Sequence, residues 1–348
     1  MRRYSYEKKV GILFGGQSTE HEVSRVSASS VLKNIDLSKY DVYPIGITKD
    51  GKWFEYTGSV DKIESGEWEK DEFYKNPNGQ EILFNREVDV VFPVMHGLYG
   101  EDGTIQGLCK LLNIPCVGPG VMSSAVCMDK VYTKYVLENF GIKQADYVVV
   151  TAHDYKTIKE DILTKIENKL GYDVFIKPSN SGSSVGISKA HNREELEKGL
   201  SEALKFDRKI LVETALNARE IEVAVLGNDE PKAATPGEIV PANEFYDYEA
   251  KYSNAESKLL LPANLTKEKL EKVKALAVRI YKMLDCAGMS RVDFLVDKET
   301  EEVYLNEINT IPGFTKISMY PKMWQAEGKA YGDLISEIIE LAIERDNK

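Results

Sequence analysis

The chain has 348 residues, 45 Lys and Arg against 56 Asp and Glu for a net charge of −11, 43% apolar and 29% charged residues. That length supports two or three domains with ample core. The negative charge argues against a general nucleic-acid binder but leaves anionic small ligands open, because local basic residues can oppose the overall charge. The opening MRRYSYEKKV lacks the apolar segment of a secretory signal, and no run of ~18 apolar residues would span a membrane. Cys109, Cys116, Cys127 and Cys286 show neither CxxC nor Cys/His metal spacing. We therefore expect a cytoplasmic protein with buried free thiols.

"KKVGILFGG" reads as a buried strand ending in two glycines, and "STEHEVSRVSASSVLKNI" as the helix after it, with Thr19 and Glu22 spaced as a capping box. "DVYPIGITKDGKWFEY" predicts two strands about a Lys-Asp-Gly turn. "EVDVVFPVMHG" predicts another buried strand, followed by the polar loop "HGLYGEDG" and a helix before "IPCVGPG". This order, with glycine at strand ends, predicts a parallel sheet with ligands at the strands' carboxyl ends. "SSAVCMDKVYTKYVLENFGI" predicts one helix stopped by Gly141.

Beyond Gly141 the pattern shifts to α+β. Strands "DVFIKPS" and "GISKA" are joined by "NSGSSV", and "REELEKGLSEALKF" is an amphipathic helix. Strands "KILVETAL" and "IEVAVLG" follow, then an irregular stretch near 231–262, the helix "KEKLEKVKALAVRIYKML", a hairpin over 291–310 and a helix near 332–345. An irregular stretch of that length is more often functional than structural.

In the hairpin, pairing Val296 with Tyr304 sets Asp293 opposite Glu307 and Arg291 opposite Asn309, and side-chain alternation puts all four on one face. Two carboxylates and an amide oxygen make a hard oxygen site suited to Mg²⁺. A salt-bridged surface hairpin neutralised by Arg291 is the alternative; the apolar flanks and the glycine-bearing "NTIPGF" favour a site. In "KPSNSGSSVG", 177–186, Lys177 ends a strand and the small hydroxyl-rich loop could offer backbone N–H groups to phosphate. It has no Walker A order, and a plain glycine-serine turn would read the same. Lys130 stands at a helix start, where a cation opposes the macrodipole, although a solvated lysine is the ordinary case.

Main chain at 213–216 could present a donor and an acceptor to adenine, with Glu220 on ribose hydroxyls. Glu20, His96 and Glu101 fall at or just beyond strand ends, where a carboxylate can hold a substrate ammonium. "EFYDYEAKY", 244–252, is either a loop that closes over a site and excludes water or a packed surface loop.

Together and in one order, "GGQSTEHEVS", "HGLYGEDGT", "MDK", "KPSNSGSSVG", "EFYDYEAKY", "RVDF" and "NEINTIPGFT" closely resemble the D-alanine–D-alanine ligase family of ATP-grasp enzymes, over nearly the whole chain. The resemblance implies a three-domain fold of α/β and α+β parts. These are an N-terminal parallel-sheet, substrate-binding domain at 1–128, a central ATP-grasp subdomain at 129–214, and a C-terminal one at 215–348 carrying the metal site and the 231–262 loop. It implies a cytoplasmic homodimer that uses ATP to join two D-alanines through an acyl phosphate, for peptidoglycan; D-alanine–D-serine ligation is the alternative.

By the same resemblance, Asp293, Glu307 and Asn309 would bind two Mg²⁺ ions (Mn²⁺ could substitute), with Glu307 bridging. Lys130 and Lys177 would contact the α- and β-phosphates, Glu213, Thr214, Ala215 and Leu216 the adenine, and Glu220 the ribose. Ser183, Ser184, Tyr246, Lys251, Phe294 and Asn306 would complete the nucleotide set, Lys251 at the transferred phosphoryl group. Glu20 would orient the first D-alanine's ammonium, with His96 near its carboxylate. Arg291 and the Gly313 N–H would be oxyanion donors, and Ser183 and Ser318, with Tyr252, would lie near the second D-alanine. Tyr252 favours an amine nucleophile over a hydroxy acid. Two departures stand out: Thr214 where many members have lysine, and Ile317 in "TKIS" where some have histidine.

Overall fold

The structure is a computed structural model and describes residues 7–182, 185–240 and 258–346. The first sheet contains β1 (Lys8–Gly15), β2 (Tyr40–Ile47), β3 (Trp53–Tyr56), β4 (Lys75–Asn76) and β5 (Val90–Pro93), in the order β4-β3-β2-β1-β5. β1 runs parallel to β2 and β5, as the glycine-ended pattern predicts, while β3 and β4 add antiparallel edges. The helix His21–Asn34 follows β1 with Glu20 at its N-cap and no side-chain capping bond. The expected Thr19/Glu22 capping box is therefore absent; Glu22 instead pairs with Lys49 at 2.5 Å.

The second sheet is antiparallel, β6 (Tyr147–Thr151), β7 (Val174–Pro178), β8 (Ser188–Ala190) and β9 (Lys209–Thr214), ordered β6-β9-β7-β8. The single helix expected before it is two. Val121–Met128 ends at Asp129, whose extended backbone restarts the chain as Lys130–Glu138. The Asp129 carboxylate accepts from the N–H groups of Val131 and Tyr132, both at 3.1 Å, so a capping side chain interrupts what reads as one helical run.

The third sheet contains β10 (Ala218–Leu226), β11 (Lys232–Ala233), β12 (Gly237–Val240), β13 (Lys258–Leu260), β14 (Met289–Asp297) and β15 (Val303–Asn309), ordered β13-β12-β10-β14-β15 with β11 beside β10. The stretch expected to be irregular near 231–262 thus contributes three short strands among its described residues; the aromatic segment 244–252 lies outside them.

One face of this sheet is apolar. Ile221, Val223, Val225, Val292, Phe294, Val296, Leu305 and Ile308 pack with Val273, Ala277 and Ile280 of the helix Lys267–Met283. The helix Tyr331–Asp346 does not join that core. Its Leu334, Ile335, Ile338 and Ile339 share a core with Val10, Ile12 and Phe14 of β1, and Arg345 donates to the carbonyls of Gly118 and Cys116 at 2.6 and 2.8 Å. Among the described residues no helix is long and apolar enough to cross a membrane.

Candidate active site

The polar face of the third sheet carries the acidic cluster. Asp293 pairs with Glu307 and Arg291 with Asn309, as the hairpin reading expects, but at the turn end Val296 pairs with Val303 rather than Tyr304. A register shift between Asp293 and Phe294 reconciles the two: Phe294 pairs with Leu305, and Asn306 is the extra residue of a bulge. Leu305 and Ile308 both point into the core, so the two residues between them, Asn306 and Glu307, stand together toward the site. Strict alternation would have sent Asn306 to the opposite face.

Across the cleft, two lysines meet these side chains. Lys177 at the end of β7 lies 3.5 Å from Asn306 Oδ1, and Lys130 lies 3.4 Å from Glu307 Oε2 while donating to the Ser181 carbonyl at 2.8 Å. The break at Asp129 sets Lys130 in place. Ser179 donates to Asp129 at 2.6 Å, Lys209 pairs with it at 2.5 Å, and the Lys130 N–H donates to Ser179 O at 3.0 Å. Lys177 also pairs with the buried Glu213, whose other oxygen lies 3.1 Å from Lys134. Burial alone would raise the Glu213 pKa; Lys177 and Lys134 override it and hold the carboxyl at about 2.

Arg291 grips Asp293 with a two-pronged fork, Nε to Oδ1 at 2.8 Å and Nη2 to Oδ2 at 2.7 Å, and its Nε lies 3.3 Å from Glu222. Burial opposes the charged guanidinium, but Asp293 and Glu222 hold its pKa well above the ordinary value. Asn309 donates to Asp293 Oδ2 at 2.8 Å. Glu222 pairs directly with Asp293 across β10 and β14, a third carboxylate on this face that the sequence reading missed. Its two-residue spacing from Glu220 was the available signal. Phe294 sits on the opposite, apolar face, 1% exposed.

From the first sheet, Glu20, His96 and Glu101 are all buried beside this cleft. His96 bonds Ile311 O and Ser27 Oγ. Glu101 accepts from the N–H of Gly97 at 2.8 Å and of Ile311 at 2.9 Å, and burial together with the nearby Glu20 raises its pKa to about 8. A Cβ on Gly97, which has φ 70°, or on Gly182 would collide with the Glu20 carboxylate. The glycines therefore let two loops close on it. Ser318 Oγ accepts from Thr315 N–H at 3.0 Å and faces Gly313, whose N–H meets no backbone acceptor among the described residues.

At the end of β9 the N–H groups of Thr214 and Ala215 are taken by the carbonyls of Asp146 and Asp173, at 2.9 and 2.8 Å. Ser183, Ser184, Tyr246, Lys251 and Tyr252 lie outside the described residues.

Comparison with known proteins accords with this arrangement. The family model for the D-ala D-ala ligase N-terminus matches residues 9–119, and that for the D-ala D-ala ligase C-terminus matches 136–340. A protein of Clostridium novyi (strain NT) described as D-alanine–D-alanine ligase is 93% identical over 98% of this chain and 100% of its own. One of Clostridium acetobutylicum with the same description is 80% identical over 98% of this chain and 99% of its own. Among solved structures, the VanG D-Ala:D-Ser ligase from Enterococcus faecalis superposes with a TM-score of 0.86 at 39% identity, covering 97% of this chain and 99% of its own.

Proposed function

Because the chain belongs to the D-alanine–D-alanine ligase family, we infer that it joins two molecules of D-alanine to D-alanyl-D-alanine for the cell wall, converting ATP to ADP and phosphate. The observation that carries the reading is the acidic face of β14 and β15 set against Lys130 and Lys177 in such a chain. The 93% and 80% identical relatives weigh against the D-serine alternative, whose support is the 39% identical structure.

Asp293, Glu307 and Asn309 fit a hard divalent cation: they supply oxygens on one face, two of them charged and now answered by Arg291 and Lys130. Two magnesium ions held there would supply charge neutralisation to the phosphate tail. Lys130 and Lys177 add fixed positive charge on the opposite wall. Leu216 offers the adenine donor, since the N–H groups of Thr214 and Ala215 are already engaged. Glu213 and Glu220 stand beside the base and the ribose, with Ser183, Ser184, Tyr246, Lys251 and Asn306 completing the nucleotide contacts.

Glu20 orients the first D-alanine's ammonium, with its carboxylate near His96. Arg291 and the Gly313 N–H receive the negative oxygen that develops when the second amine attacks the acyl phosphate. Ser318, with Ser183 and Tyr252, positions that amine. The three units are 1–128, 129–214 and 215–348, and the family resemblance supports a cytoplasmic homodimer.

A coupled assay of ADP release tests the activity. Release should require both Mg²⁺ and D-alanine; ADP release unchanged without D-alanine would defeat the ligase reading in favour of a bare ATPase. Product analysis with mixed D-alanine and D-serine should return D-alanyl-D-alanine as the main dipeptide.

A further inference from the structure

Asp293 has a conflict built into its position. Arg291 takes a lone pair on each of its oxygens, at 2.8 and 2.7 Å, and Asn309 takes a second on Oδ2 at 2.8 Å, so a cation that binds both oxygens must loosen the guanidinium's grip. A buried guanidinium without a counter-anion is costly, and withdrawal therefore needs a second anion within reach. Glu222 provides one. It neighbours Asp293 on the adjacent strand, its side chain is 12% exposed, and its Oε2 already lies 3.3 Å from Arg291 Nε. Opposite Arg291 on the same strand is Ala224, which carries no polar group to compete for the guanidinium.

We propose that Glu222 is a positioning residue that keeps Arg291 on the acidic face when Asp293 passes to a divalent cation, so that the two ligations do not compete. The inference rests on the assignment of Asp293 as a metal ligand.

Binding of Mn²⁺ to the full chain in the presence of ADP, followed by electron paramagnetic resonance, tests it. Glu222→Gln leaves Arg291 with Asp293 as its stronger partner and should weaken Mn²⁺ binding about 3- to 10-fold, the usual size of coupling between neighbouring charges. Loss of that effect in the Arg291→Gln background is the decisive arm, because a general electrostatic role of Glu222 would weaken Mn²⁺ binding equally in both backgrounds. Such additivity, or unchanged Mn²⁺ binding in Glu222→Gln, overturns the proposal. Should Glu222→Gln fail to fold, Glu222→Asp keeps the charge but shortens the reach, and the same weakening is expected. Asp293→Asn separates the premises: if it binds Mn²⁺ as the unaltered protein does, the metal assignment fails, whereas if it alone abolishes binding, only the role of Glu222 is in question.

Discussion

The Nδ1 atom of His96 lies 3.0 Å from the carbonyl oxygen of Ile311, a bond that ties the first sheet to the loop after β15. A carbonyl can only accept, so Nδ1 carries the proton and Nε2 is left to accept from Ser27 Oγ at 2.9 Å. Ser27 in turn accepts from the Phe314 N–H at 3.3 Å, beside the proposed oxyanion donor Gly313.

Burial lowers the His96 pKa from 6.5 to about 4. The unfolded chain binds a proton near 6.5 and the folded one does not, so the contribution of neutral His96 is complete above 6.5 and is lost as pH falls toward 4. We expect His96→Gln to lower stability at neutral pH by about 1–3 kcal/mol and to flatten the acid side of the profile. Urea midpoints across this range check it; a parallel acid slope in the variant would count against the assignment.

Glu101 works in the opposite direction. Its pKa rises from 4.5 to about 8, so its stabilising contribution is full below 4.5 and is lost as pH climbs through 8. Between pH 6.5 and 8 the His96 contribution is constant, which isolates the effect. The unaltered protein should lose on the order of 1 kcal/mol or more across that window, and Glu101→Gln should not. Equal decline in both, measured by urea denaturation, would remove Glu101 as the cause.

Lys134→Met leaves the buried Glu213 carboxylate with one cation in place of two. We expect a loss of about 2–4 kcal/mol and an acid-unfolding midpoint moved to higher pH. The sign follows from the depressed pKa: Glu213 contributes above its unfolded value of 4.5, and that contribution disappears as pH falls through about 2. Without Lys134 the folded value rises and the loss begins sooner. An unmoved acid midpoint would show that Lys177 suffices.

Glu307→Gln keeps size and shape while removing one charge from the acidic face. With 27% of that side chain exposed, the fold should persist, as judged by near-ultraviolet circular dichroism. ADP release dependent on D-alanine should fall by about 100-fold or more. Near-normal turnover would refute the metal role assigned to Glu307.

The hairpin pairing of Asp293 with Glu307 was legible because period-two alternation survives on each side of the bulge. The bulge was not legible, since an extra residue leaves no mark in an apolar–polar pattern until the partner strand is known; alternation alone turns Asn306 away from the site, and only the family resemblance named it. The helix break at Asp129 was hidden for a related reason. Its neighbours read as one helical run, and what stops the helix is a carboxylate held by Ser179 and Lys209, residues far along the chain. Likewise Glu22 follows Lys49 rather than the local capping rule, because a tertiary partner outweighed it. Local chemistry was readable, and side chains whose orientation depends on distant strands were not.

The pairing of β1 with the helix Tyr331–Asp346 also sets an order of events. The earliest strands to leave the ribosome carry an oily underside, part of whose cover is synthesised more than three hundred residues later. That shared core is therefore complete only once nearly the whole chain has been made.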